Sequence, residues 1–165
     1  MALIIETGAG VTGANSYVSV ADAQTWVTAR GLGVTVTEAL LLKAMDYLES
    51  LRADYQGCKT DSTQSLQWPR ADVYIDGVLF SSADIPQELI SAQCQLACDA
   101  YTLTLLPSGD GREVQSESYA KGVYAKTYSK GSGGAAKPKL RAADAFLAPL
   151  MKTALSGAWL QTVRV

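Results

Sequence analysis

Apolar residues follow helical spacing in the segment after Thr37. Leu41, Met45, Leu48 and Leu51 lie three or four positions apart, so they fall on one face of a helix. Thr37 is suited to cap the start of this helix, and Gly57 is expected to end it. The pattern predicts a helix with one buried face.

Two more helices are predicted from their end signals. Ser19 is a good capping residue and Asp22 favours the positive end of a helix dipole, so one helix is expected to start there and to stop at Gly31. A further helix opens at Pro86, where a missing N–H costs nothing, and ends before Pro107. These two helices flank the one that follows Thr37.

The other segments carry turn signals or a different period. Residues 1–18 are rich in glycine and predict an extended leader, whereas residues 58–84 form a long connection without clear periodicity. Between residues 113 and 130 the period changes to two, which predicts a β-hairpin closed around residues 120–122.

The last quarter of the chain is interrupted by glycine and proline. A flexible linker at 131–139 precedes a short helix at 140–155, which Pro149 is expected to kink or break, and residues 156–165 form a loose tail. The elements together predict one mainly α domain. It would be a small bundle of about four helices with a β-hairpin insertion and extended N- and C-terminal arms.

Composition supports one globular domain and narrows its chemistry. The chain has 165 residues, of which 48% are hydrophobic, and it has no apolar run long enough to cross a bilayer. It contains no histidine, which removes the commonest general base and the commonest metal ligand. An enzyme acting through Cys58 or Cys98 would lack a visible base, so we expect no catalysis, no cofactor and no metal.

Two motifs invite a functional interpretation that their surroundings weaken. Cys94 and Cys98 lie four apart on a predicted helix, but cysteines in that setting are more often buried thiols than zinc ligands. Residues 8–13 match the spacing G-x-G-x-x-G, yet no helix follows directly and no βαβ unit surrounds them. A leader loop is the better interpretation of that motif.

Charge is divided unevenly along the chain. Residues 1–117 carry 15 acids and 6 bases, a balance of −9, whereas residues 118–165 carry 1 acid and 8 bases, a balance of +7. Such a division suggests contact with an acidic partner, either nucleic acid or another copy of the chain, although the two halves could also neutralise each other internally.

The predicted hairpin concentrates bases and tyrosines. Six bases and no acid lie between residues 118 and 143. Basic and aromatic residues interleaved in this way suit a surface that tracks a phosphate backbone and stacks on bases, but they also suit a subunit contact or a plain solvated strand. The candidate contact residues are Tyr119, Lys121, Tyr124, Lys126, Tyr128 and Lys130.

Five blocks of the sequence carry a resemblance to known proteins: residues 14–23, 67–70, 73–77, 85–86 and 92–97. The second of them includes Trp68-Pro69-Arg70. These blocks resemble a family of tailed-phage and prophage proteins that is often labelled "DnaT-like ssDNA-binding", and the resemblance covers residues 2–155. The same architecture resembles the head–tail connector (adaptor or head-completion) proteins.

The resemblance implies a structural subunit of the virion rather than an enzyme. It would form a ring beneath the portal, bind the portal and a tail or head-closure protein, and extend a channel through which DNA passes without sequence specificity. It would reside at the head–tail junction, and in the host cytoplasm during assembly, with no membrane contact. The alternative is a single-stranded DNA-binding replication accessory protein, which a sequence pI near 5.1 weakens.

Two further sets of residues are candidates for contacts. Trp68 and Arg70 are expected to anchor the fold or a neighbour, since both residue types are enriched at binding hot spots. The tail after Gly157 is expected to dock on the portal, because an exposed tryptophan makes a good anchor for a groove. Its candidate residues are Trp159, Leu160, Val163, Arg164 and Val165.

Overall fold

The computed structural model describes residues 2–107, the strand residues 114–120 and 123–128, and residues 140–152. It confirms a mainly α fold with a β-hairpin inserted between the third and fourth helices. The helices are α1 (Val20–Ala29), α2 (Glu38–Ser50), α3 (Gln87–Thr102) and α4 (Arg141–Leu147). The strands are β1 (Cys58–Lys59), β2 (Arg70–Ala71), β3 (Tyr74–Ile75), β4 (Val78–Leu79), β5 (Val114–Ala120) and β6 (Val123–Tyr128).

Helix starts follow the capping residues in the sequence. The Ser19 hydroxyl accepts a hydrogen bond from the backbone N–H of Asp22 at 3.1 Å, and the Thr37 hydroxyl accepts one from Leu40 at 3.4 Å. Each bond satisfies an N–H that the first turn of a helix leaves without a partner. Pro86 stands immediately before α3, so its missing N–H removes no helical bond.

Helix ends depart from the sequence prediction at α2 and α4. α2 ends at Ser50, well before the predicted stop at Gly57, because the chain turns after Leu51 and sends Tyr55 into the core, where it is fully buried. α4 ends at Leu147 and gives way to a 3₁₀ turn that contains Pro149. The proline therefore breaks this helix, since it can neither donate nor fit the next helical turn.

α3 is the central helix of the bundle. It contacts α1, α2 and α4, and Leu89 and Leu96 on it are fully buried. Burying a leucine side chain contributes about 1.5–3 kcal/mol relative to leaving it exposed, so these contacts stabilise the bundle. None of the described helices is both long and apolar enough to cross a membrane.

A buried glutamine ties the leader to the helices. Gln93 lies on α3 with no exposed surface; its Oε1 accepts from the Tyr17 N–H at 3.0 Å and its Nε2 donates to the Ser16 hydroxyl at 2.8 Å. Buried amides need such partners, because leaving one unpaired costs about 1–3 kcal/mol. The leader was predicted to be extended, and these bonds hold its Ser16–Tyr17 end against the core.

The long connection between α2 and α3 is organised by two short antiparallel ladders. β1 pairs with β2 and β3 pairs with β4. Gly57 has a φ of +61°, and a Cβ at this position would lie 2.0 Å from the carbonyl oxygen of Ala71. Glycine is therefore required here for close approach of two backbone segments rather than as a helix stop.

Candidate nucleic-acid interface

The predicted hairpin forms, and its pairing register is defined. β5 and β6 are antiparallel, with Ala120 opposite Val123 at the closed end and an irregularity between Val114 and Ser116. A two-residue connection between register partners is the commonest hairpin geometry. The backbone thus gives the basic stretch a two-stranded scaffold.

The register places aromatic positions side by side. Tyr119 pairs with Tyr124, and Val114 pairs with Tyr128. Register partners lie on the same face of a ladder, and alternate positions along one strand share that face. The positions of Tyr119, Tyr124 and Tyr128 therefore belong to one face of the hairpin. Neighbouring aromatic positions are what successive stacked bases require.

The same register adds an acid that the sequence interpretation did not weigh. Glu117 is the partner of Lys126, and it lies one residue before the stretch in which only bases were counted. An acidic position thus lies opposite a basic one in the ladder. Lys121 and Lys130 lie outside the described residues.

The helical part of the chain has the wrong charge for a phosphate backbone. Residues 2–107 contain 12 acids and 5 bases, a balance of −7. Three of the five bases already bond to backbone carbonyl groups. The Lys59 ammonium donates to Gln64 at 3.2 Å, Arg70 donates to Gln56 and Gly57, and Arg30 donates to Trp26 at 3.4 Å. An acidic surface repels DNA, so the basic stretch is the candidate interface.

Trp68 and Arg70 lie inside the fold. Trp68 is fully buried and makes an edge contact with Tyr55, with ring centroids 5.8 Å apart. The Arg70 Nε donates to the Gln56 carbonyl at 2.6 Å, and its Nη2 donates to the Gly57 carbonyl at 2.8 Å. Both side chains stabilise the connection between α2 and α3. Because both are buried, neither is accessible to a nucleic acid.

The glycine-rich loop at residues 8–13 binds a carboxylate of its own chain. The buried Glu6 accepts hydrogen bonds from the backbone N–H groups of Gly8 at 2.9 Å, Gly10 at 3.0 Å and Val11 at 2.8 Å. Convergent N–H groups of this kind form an anion-binding concavity. Because Glu6 fills it, the loop offers these donors to no phosphate, and it does not serve as a dinucleotide site.

The cysteines on α3 are buried thiols. Cys94 has no exposed surface, and burial, with Cys98 beside it, raises the pKa of Cys94 to about 12. Burial also raises the pKa of Cys98, and the nearby Asp99 adds to the effect. A thiol held neutral in this way is a poor nucleophile and a poor metal ligand. Within the described residues, no group of three or more His, Cys, Asp or Glu side chains could hold a metal ion.

Sequence reasoning missed Glu6 and Gln93, and both left a signal. Gln93 lies four residues after Leu89 and three before Leu96, so it interrupts the apolar face of α3. A polar residue at such a position must find partners inside the fold. Glu6 directly precedes the glycine-rich loop, and two of its glycines, Gly8 and Gly10, donate to the carboxylate together with Val11. The predicted tail residues Trp159 to Val165 lie outside the described residues.

One family matches the whole chain. Residues 1–165 match the family described as "Putative DnaT-like ssDNA binding protein". Neither a curated protein nor a solved structure matches the chain.

This match corrects the interpretation of the chain as a head–tail connector. The matching family is described by DNA binding and not by a place in a phage connector. The prediction of a structural connector is therefore wrong. No finding supports a portal ring or portal and tail partners. The alternative, a single-stranded DNA-binding protein, agrees better with the match.

Proposed function

Because the chain belongs to the family described as "Putative DnaT-like ssDNA binding protein", we propose that it binds single-stranded DNA through the hairpin β5–β6 and the basic linker that follows. The observation that carries the proposal is the register of the hairpin, which places Tyr119 opposite Tyr124 within the only strongly basic stretch of the sequence. Stacking and phosphate attraction are then supplied by one segment.

The charge division supports the location of this interface. An acidic body with a basic arm orients the chain, because the strand is attracted to one part and repelled by the other. The overall pI near 5.1 averages these two parts and hides the arm. Binding by stacking and phosphate contact reads no base edges, so the proposed binding is independent of sequence.

The test is a fluorescence titration with a labelled oligothymidine at several salt concentrations. If all six bases between residues 118 and 143 contact phosphate, the slope of log affinity against log salt is about −4, from roughly −0.7 per contact on a single strand. We expect dissociation constants on the order of 10⁻⁴–10⁻⁶ M near physiological salt. A duplex of equal length should bind more weakly, since its bases are already stacked.

Paired variants separate the two contributions. Tyr124→Ala with Tyr128→Ala should weaken binding by roughly 1–3 kcal/mol per stacked base while leaving the salt slope unchanged. Lys121→Gln with Lys126→Gln should instead reduce the slope by about 1.4. Tyr101→Ala and Lys43→Gln are matched controls, because both residues are exposed on the helical body. Equal losses from the controls, or full affinity in the hairpin variants, would refute the proposed interface.

A further inference from the structure

A second hairpin, on the helical body, exposes large apolar side chains. In β3 and β4, Tyr74 is 54% exposed, Val78 is 70% exposed and Leu79 is 57% exposed. Tyr74 and Leu79 are register partners, so they form a continuous apolar surface on one face of this hairpin. Val78 pairs with Ile75 and therefore lies on the other face of the same two strands. We call these three exposed residues, Tyr74 and Leu79 on one face and Val78 on the other, the exposed hairpin patch. Contiguous exposed apolar surface with polar neighbours is typical of an interaction site.

Hydrogen bonds tie the strands of the exposed hairpin patch to the rest of the fold. The Tyr74 N–H donates to the Gln56 side chain at 3.3 Å, and Gln56 in turn donates to the Pro149 carbonyl at 2.7 Å. The two-residue turn at Asp76 and Gly77 has positive φ at both positions, which matches the twist of a tight hairpin. A surface that is already ordered loses little conformational entropy when a partner docks on it.

The stretch of sequence that carries the exposed hairpin patch is negatively charged. Asp72, Asp76 and Asp84 lie between residues 72 and 84, and the sequence of that stretch contains no base. Asp76 stands in the turn itself, between the two strands that carry the patch. Such surroundings repel a phosphate backbone and attract a cationic segment that also offers apolar or aromatic groups.

We propose that the exposed hairpin patch docks the basic segment, residues 118–143, of a second copy of this chain. That segment has six bases and no acid, and it includes Tyr119, Tyr124 and Tyr128, so both its charge and its aromatic residues complement the patch. The two surfaces differ, so each contact joins the patch of one copy to the basic segment of another.

The first test is sedimentation of the full chain without DNA, at low salt, from about 10⁻⁶ to 10⁻³ M, the range of weak interfaces. The parent chain should associate, and association should weaken as salt screens the charges. The double variant Val78→Thr, Leu79→Thr keeps strand-forming side chains and should be monomeric with an unchanged melting temperature. The matched control is Leu103→Thr with Leu106→Thr, which removes exposed apolar residues elsewhere and should associate like the parent.

The second test is complementation between two defective chains. One carries Val78→Thr and Leu79→Thr, and the other carries Lys121→Gln, Lys126→Gln and Lys130→Gln. Each should be monomeric alone. Their mixture retains one intact patch and one intact basic segment, so it should form a 1:1 dimer and nothing larger.

Several results would overturn this proposal. A parent chain that is monomeric over the whole range, a patch variant that still associates, or a mixture that forms no dimer would each do so. Loss of oligothymidine binding in the patch variant would identify the patch as a DNA contact instead. Since association is measured without DNA, its failure leaves the proposed DNA binding intact, and the reverse also holds.

Discussion

At the scale of single residues, the fold depends on polar groups that are buried and paired. Gln93 joins the leader to α3, Glu6 orders the glycine-rich loop, and the Tyr17 hydroxyl accepts from the Trp68 N–H at 3.2 Å. Each of these groups fixes one segment in one position, because any other placement would leave a buried donor or acceptor without a partner. Apolar packing alone would not specify these positions as narrowly.

The buried thiol of Cys94 makes stability sensitive to alkaline pH. Burial raises the pKa of Cys94 to about 12 in the folded chain, whereas in the unfolded chain it is about 8.5. Above pH ~8.5 the unfolded chain releases this proton first, so the contribution of the neutral thiol is complete below that pH and is lost as pH rises toward 12. The free energy of unfolding should fall by up to about 1.4 kcal/mol per pH unit from this group.

Urea unfolding under reducing conditions between about pH 8 and pH 10, the start of this window, checks the effect. Cys94→Ala should lower stability near neutral pH but give a shallower decline with pH. Cys58→Ala is the matched control, since Cys58 is an exposed free thiol, and it should keep the decline of the parent chain. An equally steep decline in Cys94→Ala would contradict the assignment.

At the scale of elements, local signals determined where helices begin better than where they end. Ser19 and Thr37 cap α1 and α2 as predicted, because capping depends on residues a few positions apart. The predicted end of α2 was wrong. The observed end depends on the burial of Tyr55, whose partner Trp68 is thirteen residues further along the chain. The ladders β1–β2 and β3–β4 were missed for a related reason, since strands of two residues carry no readable period.

The register of the β5–β6 hairpin predicts a gain of function. Glu117 is paired with Lys126, so Glu117→Gln removes an acid from beside a proposed phosphate contact. We expect oligothymidine affinity to increase by a factor of about 1.4–5, which corresponds to the 0.2–1 kcal/mol typical of such cross-strand pairs. The control is Asp46→Asn, which removes an equal charge from an exposed position on α2.

Parallel oligothymidine titrations of Glu117→Gln and Asp46→Asn test whether the position of the removed acid matters. Only Glu117→Gln should bind more tightly and show a steeper salt slope. A similar gain in Asp46→Asn would mean that net charge matters and the register does not.

At the scale of the whole molecule, charge is divided between an acidic body and a basic segment. The sequence alone showed this division. The acidic pI of the whole chain, however, averages the two parts, and it favoured the connector interpretation over the DNA-binding one. The position of the exposed hairpin patch could not have been predicted. It depends on which face of a four-residue ladder packs inward, and that is set by contacts with Gln56 and Val73.

The division of charge predicts competition between the two proposed partners of the basic segment. A segment docked on a neighbouring copy cannot track a DNA strand at the same time. Adding an oligothymidine of about 8 nucleotides, within the usual site size of one binding module, should therefore dissociate associated chains. Sedimentation at fixed protein concentration and rising oligonucleotide measures this directly, and association that strengthens with this short strand would exclude a shared segment.

The loop around Glu6 is an anion-binding site whose anion is a side chain of the same chain. A free phosphate or nucleotide would have to displace a carboxylate tethered only two residues from the first donor, and such a tether gives an effective concentration that dissolved anions rarely reach. In this chain the loop with the spacing G-x-G-x-x-G therefore binds a carboxylate of the same chain and not a separate ligand. A glycine signature gains meaning as a ligand site only when no acidic residue of the same chain lies close enough to fill it.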